Sequence, residues 1–88
     1  MYFLYILQSG KDLCTYAGYT KNLRDRFREH NSGKVKTTRN RRPLKFVYLE
    51  KCVTEILAKE RENYWKSGGG RRKLKTFFRE GFPPIQKF

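Results

Sequence analysis

Acidic residues are scarce in this sequence. Eight Asp and Glu stand against 21 Lys and Arg, so the 88 residues carry a formal charge of +13. Solubility alone does not call for such a field, which steers the chain toward a negatively charged partner. Histidine is rarer still, with one residue, and the two cysteines, Cys14 and Cys52, do not form a Cys-x-x-Cys pair. One His and two separated thiols do not complete a zinc site of the usual spacing. The default for the cysteines is a pair of reduced, partly buried thiols in a cytoplasmic protein, with a disulfide left open. Long apolar runs are also lacking. The apolar opening Met1–Leu7 is short and has neither a basic stretch nor a small-residue cleavage site, so it does not read as a signal peptide. No run is long enough to span a bilayer. No clear basic amphipathic helix or lipidation signal directs the charge to a membrane. Without an internal repeat or a long linker, residues 1–88 read as a single domain, expected to be monomeric and too small for a bulky cofactor pocket.

Apolar content is sufficient for a core. Hydrophobic residues make up 38% and aromatics 16% of the chain, unlike a disordered basic tail. The basic residues run from Lys21 to Arg79 with few long gaps, so the charge belongs to the folded body. Nucleic acid is the polyanion that best fits such a surface.

Residues 2–8, rich in Tyr, Phe and Ile, read as a strand, and Ser9-Gly10-Lys11-Asp12 as a turn. Cys14 to Thr20 reads as the second strand of a hairpin, with Gly18 marking a bulge or a close backbone approach. A helix opens at Asn22, an N-cap with Asp25 at N3, and closes at Asn31-Ser32-Gly33. Lys34 to Arg42 reads as a basic loop, and Leu44–Leu49 after Pro43 as a third strand. A second helix is predicted from about Thr54 to Lys66. Gly68-Gly69-Gly70 is expected to break it, and Arg71 to Arg79 to form a short last helix. The order β-β-α-β-α-α implies an α+β fold with a small, mostly antiparallel three-stranded sheet packed by helices.

Three groups of residues suit chemistry. Val53, Leu57, Glu60 and Tyr64 share one face of the second helix, which places a carboxylate among apolar neighbours. Such an acid is costly unless paired or metal-bound. Pairing with one of the many Lys and Arg side chains is the rival reading. Arg26 and His30, at i and i+4 on the first helix, share a face; Arg suits a phosphate and His a proton transfer near neutral pH. A tyrosine acting as base must lose a proton held at a pKa of about 10, which only a strongly cationic site favours. This chain supplies one. Asp12, Asp25, Glu29, Glu50 and Glu55 read as turn or helix-surface residues.

In order along the chain, Tyr5 in Phe3-Leu4-Tyr5-Ile6-Leu7, Tyr16-Ala17-Gly18-Tyr19-Thr20, and Asn22 to Asn31 with Arg26 and His30 form a pattern. Asn31-Ser32-Gly33-Lys34, Thr38 to Leu44, Glu60, and Trp65-Lys66-Ser67-Gly68 with Gly70-Arg71-Arg72 continue it. The ordered set resembles the GIY-YIG nuclease superfamily, in particular small stand-alone members similar to the nuclease module of the bacterial excision-repair incision subunit. The first motif departs from the family in reading Phe-Leu-Tyr, and the second in carrying Ala17, but both tyrosines remain.

The resemblance implies Tyr5 as base or water-positioning group, with Tyr16 helping to place water and scissile phosphate. It implies Arg26 on phosphate charge, His30 in proton transfer and Glu60 as the single metal ligand, for Mg²⁺ with Mn²⁺ as a substitute. Which of Tyr5 and His30 is the base stays open. The expected reaction is hydrolysis of phosphodiesters in DNA with low sequence specificity; a preference for a nick, branch or flap in repair or recombination stays open. Lys34, Lys36, Arg39, Arg41, Arg42, Arg71, Arg72, Lys73 and Lys75 are expected on the DNA backbone, where they position without reading sequence. A non-catalytic nucleic-acid-binding domain is the alternative.

Overall fold

The first strand is the spine of the molecule. In the computed structural model, which describes residues 1–85, strand β1 (Tyr2–Ser9) lies between β2 (Thr15–Thr20) and β3 (Leu44–Cys52). Both pairings are antiparallel, and the sheet order is β2-β1-β3. Alternation along β1 sends Leu4 and Ile6 to one face and Tyr5 and Leu7 to the other. With helices on both faces, β1 has no solvent side, and all four residues are buried. Each large apolar side chain so buried contributes about 2 kcal/mol.

Helix α1 (Leu23–Ser32) covers the Tyr5 face through Leu23 and Phe27. Its start follows the sequence reading, since the Asn22 side chain accepts from the Asp25 N–H at 3.0 Å. Its end is Gly33 in the left-handed region, with φ 87°. Asn31 then ties α1 to β3, accepting from Leu44 N–H at 2.8 Å and donating to Leu44 C=O at 3.1 Å.

Helices α2 (Glu55–Lys66) and α3 (Gly68–Glu80) cover the Leu4 face with Ala58, Trp65, Leu74 and Phe77. The three glycines do not separate these helices as a coil; they form the first turn of α3, with Ser67 as its N-cap. A Cβ on Gly70 would collide with the Tyr64 carbonyl, so glycine permits the sharp elbow between α2 and α3.

Other expectations shift as well. The second strand begins at Thr15, leaving Cys14 exposed, whereas Cys52 is buried. The basic loop contains a short 3₁₀ turn, Arg39–Arg41. Ser9, fully buried, anchors the end of that turn by donating to the Arg41 carbonyl at 2.6 Å. The third strand runs past Leu49 to Cys52 and carries Glu50. That residue is no surface acid: its carboxylate accepts from Arg61 Nε at 2.7 Å, Arg61 Nη2 at 2.8 Å, Tyr48 at 2.8 Å and Trp65 Nε1 at 3.1 Å. These bonds fasten α2 to the sheet.

Candidate active site

Gly18 lies opposite Tyr5 across the β1–β2 pair. A side chain at position 18 would place its Cβ 2.5 Å from the Tyr5 hydroxyl oxygen, so the glycine leaves room for the phenol over the edge strand. The close approach read from the sequence is therefore to a side chain, and the register of β1 with β2 shows no bulge.

Arg26 and His30, one helical turn apart on α1, converge on that hydroxyl. Arg26 Nε donates to Tyr5 Oη at 3.1 Å, and His30 Nε2 lies 3.1 Å from the same oxygen. On its other side, His30 Nδ1 lies 2.8 Å from Thr38 Oγ1. His30 and Thr38 are 4% and 2% exposed, so both imidazole nitrogens are held by buried partners.

Burial pushes the Tyr5 phenol above its ordinary value, and outweighs the hydrogen bond and charge of Arg26 that pull it down. Burial, aided by the Arg26 charge, holds His30 below the usual imidazole value. The hydrogen bond to Tyr5 raises Arg26, which is charged throughout. The group is thus a neutral phenol and a neutral imidazole beside a cation. The Arg26 cation pulls the Tyr5 phenol in the direction expected of a cationic site, but burial is the larger effect.

These side chains open into a cavity of about 360 Å³ at the β2 edge, between α1, α2 and the loop after Gly33. Tyr5, Tyr16, Arg26 and His30 line it together. Glu60 does not line it and is exposed on α2. The face that suggested Glu60 is turned to solvent: Val53 is 74% exposed, Leu57 38% and Tyr64 37%. At about 100° per residue, two positions along a helix reverse the face. Glu62 accordingly lines the cavity, with Lys66 one turn on, their charged atoms 3.7 Å apart. The apolar pattern of α2 concealed Glu62; its spacing to Lys66 and to the buried Ala58 was the available signal. Thr38 was quoted within a motif but given no role by sequence.

The basic residues named from sequence are exposed, outside this cavity. Lys34, Lys36, Arg39, Arg41 and Arg42 belong to the loop whose Val35, Thr37 and Thr38 form one cavity wall. Arg39 Nε donates to the Gly33 carbonyl at 3.0 Å, and Arg42 Nε to the Arg39 carbonyl at 2.9 Å. Arg41 pairs with Asp12 at 3.1 Å. Part of the loop's charge therefore shapes the loop itself. Arg71, Arg72, Lys73 and Lys75 lie on α3.

Among the described residues, no group of three or more His, Cys, Asp or Glu could hold a metal. A Mg²⁺ ion needs less, because one or two carboxylates suffice when water and substrate phosphate complete its shell. Glu62 meets that requirement as a carboxylate, 24% exposed, in the cavity wall; Glu60 does not. No described helix is long and apolar enough to cross a membrane.

Comparison with known proteins bears on the family and the fold. The model of the GIY-YIG catalytic domain matches residues 1–76. A UPF0213 protein of Bacillus licheniformis is 37% identical over 99% of this chain and 95% of its own length. A UPF0213 protein of Clostridium perfringens is 41% identical over 84% of this chain and 80% of its own. The solution NMR structure of a UPF0213 protein from Bacillus halodurans superposes with a TM-score of 0.56 at 33% identity, over 94% of this chain and 89% of that one.

Proposed function

The chain belongs to the GIY-YIG catalytic domain family, a family of nucleases, and on that premise we propose that it is a Mg²⁺-dependent endonuclease that hydrolyses phosphodiester bonds in DNA with low sequence specificity. One observation carries the reading: a single buried hydroxyl, that of Tyr5, is shared by Arg26 and His30 at the wall of a cavity that also holds Tyr16 and Glu62.

The chemistry follows from one assignment of the protons. Arg26 Nε–H donates to Tyr5 Oη; with His30 assigned as the tautomer protonated at Nδ1, the Tyr5 hydroxyl donates to His30 Nε2 and His30 Nδ1–H donates to Thr38 Oγ1. One lone pair of Tyr5 Oη then remains for a water in the cavity. As that water attacks phosphorus in line, its proton passes to Tyr5 Oη while the phenolic proton moves to His30 Nε2. The phenol is never required to exist as a free anion, which suits its raised pKa. Imidazole, the more basic partner, stores the proton. The P–O bond to the leaving oxygen breaks, and that oxygen takes a proton from solvent.

Arg26 Nη1 is 3.2 Å from Glu29, and Nε is engaged with Tyr5; Nη2 makes neither bond, and the guanidinium, which lines the cavity, would stabilise the developing phosphoryl charge. Tyr16 orients water and phosphate from the second strand. Glu62 would hold Mg²⁺, or Mn²⁺ in its place, and the bound ion would supply charge neutralisation at the phosphate. The loop and α3 cations hold the DNA backbone without reading bases, which supports low sequence specificity.

The test is cleavage of plasmid and branched DNA by the purified chain with Mg²⁺, with Mn²⁺ and with chelator. Cutting that requires metal supports the reading. Salt-sensitive binding without cutting under any metal condition favours a non-catalytic nucleic-acid-binding domain instead.

A further inference from the structure

The His30 ring has a hydroxyl at each nitrogen. Tyr5 Oη lies 3.1 Å from Nε2, and Thr38 Oγ1 lies 2.8 Å from Nδ1. A neutral imidazole has one lone pair and one N–H to divide between them. A hydroxyl can accept or donate, so distance alone admits both tautomers. The chemistry of the two hydroxyls separates them.

They are unequal donors. A phenol titrates at about 10, whereas an aliphatic hydroxyl is a far weaker acid. The Arg26 N–H given to Tyr5 Oη polarises that phenol further. The single lone pair of the ring therefore goes to Tyr5, and its N–H to Thr38. Thr38 lines the cavity, so its own proton can turn to water there. In the opposite tautomer Tyr5 Oη would accept from Arg26 and His30 together. Its proton would then face the cavity, where the attacking water must give one up.

Thr38 is also held independently of His30. Its N–H donates to the Val35 carbonyl at 3.2 Å, and its carbonyl accepts from Arg41 N–H at 2.9 Å. The Arg41 carbonyl is held by buried Ser9, at the end of the strand that carries Tyr5. Both hydroxyls are thus tied to β1 by separate routes, and the ring is suspended between them.

We propose that Thr38 is a positioning residue for the cleavage reaction: its hydroxyl oxygen accepts the His30 Nδ1 proton and keeps the Nε2 lone pair on the Tyr5 hydroxyl. This deepens the nuclease reading and rests on it.

His30 is the single histidine of the chain, so ¹⁵N labelling of histidine rings reports on it alone. Couplings to the carbon-bound ring protons tell Nδ1 from Nε2. Spectra of the full chain are taken in chelator at about pH 8, above the ordinary imidazole value of about 6.5. Wild type and Thr38→Ser should carry the proton on Nδ1. Thr38→Val keeps the shape and removes the acceptor, and a buried N–H without an acceptor is costly. Its ring proton should move to Nε2, where Tyr5 Oη accepts it. With Mg²⁺, single-turnover cleavage by Thr38→Val should fall about ten- to a hundredfold at unchanged DNA affinity, with Thr38→Ser near wild type. A merely structural Thr38 would lower the unfolding temperature and leave tautomer and rate as they are, which would overturn the proposal. A wild-type ring protonated on Nε2 would overturn it without any variant, leaving the nuclease reading to the cleavage assay. Absence of cutting under any metal condition, with the proton on Nδ1, would overturn the nuclease reading and not the seat of the proton.

Discussion

Two partly buried polar clusters sit on opposite faces of the same sheet, and both join a tyrosine to an arginine. On the α2 face, Tyr48, Arg61 and Trp65 place four donors on the two oxygens of Glu50. Charge is compensated there, and both carboxylate oxygens are engaged. On the α1 face, Tyr5, Arg26, His30 and Thr38 form a chain with one cation and no buried acid. Glu29, the carboxylate against Arg26, is 45% exposed and belongs to the surface. The first cluster is closed and holds helix to sheet. The second opens into a cavity, and its one cation, Arg26, is paired with a carboxylate of the surface rather than of the interior, an arrangement that suits an incoming anion.

The largest effect should separate two glutamates on one helix. Glu62→Gln should lower the cleavage rate in Mg²⁺ by about a hundred- to a thousandfold, while Glu60→Gln should cut within about twofold of wild type. Single-turnover assays on a nicked or branched substrate measure both. The reverse pattern would return the metal to the solvent face of α2.

Next comes the closed cluster. Glu50→Gln removes the charge on which Arg61 rests and should cost about 2 kcal/mol of stability, seen as a Tm lower by about 10 °C. Cleavage well below that temperature should be nearly unchanged. If Glu50→Gln lost activity while keeping stability, the division into a structural and a chemical cluster would be wrong.

The clusters should also differ in pH. Although burial alone would raise it, the hydrogen bonds from Arg61, Tyr48 and Trp65 hold the Glu50 carboxyl below its ordinary value. Its contribution is present above the unfolded carboxyl pKa, about 4.3, and is lost as pH falls through the lower folded value. The stability gap between wild type and Glu50→Gln should therefore close in acid. His30 is also held low, so its neutral form persists below the ordinary imidazole value of about 6.5. The acid limb of kcat/KM should lie below that value, and a limb above it would count against His30 as proton acceptor. The smallest effect belongs to the loop: Lys36→Gln should reduce the slope of log binding constant against log salt by about 1, with cleavage at saturating DNA unchanged.

Much of this was legible in the chain because local rules and tertiary packing agree. Asn22 caps α1 as its side chain dictates, and Thr54 caps α2 by accepting from Leu57 N–H at 3.1 Å. Arg26 and His30 meet because helical periodicity puts them on one face. Where the reading failed, a tertiary contact overruled the pattern. Three consecutive glycines look like a break, but the α2–α3 elbow needs one of them for its close approach and accepts all three in a helical first turn. Val53, Leu57 and Tyr64 look like a core face, but the sheet takes the opposite side through Ala58 and Trp65. That inversion hid Glu62. Thr38, quoted within a motif, had no role for another reason: its contact with His30 is a hydrogen bond between loop and helix that no local spacing encodes.

The Tyr5 hydroxyl is the most direct place to test the account, because Tyr5→Phe keeps the ring that packs beneath Gly18 and removes only the oxygen that Arg26 and His30 share. Single-turnover cleavage of plasmid DNA by Tyr5→Phe in Mg²⁺ should fall about a thousandfold, with DNA affinity and unfolding temperature close to wild type. Cleavage by Tyr5→Phe at the wild-type rate would contradict the account.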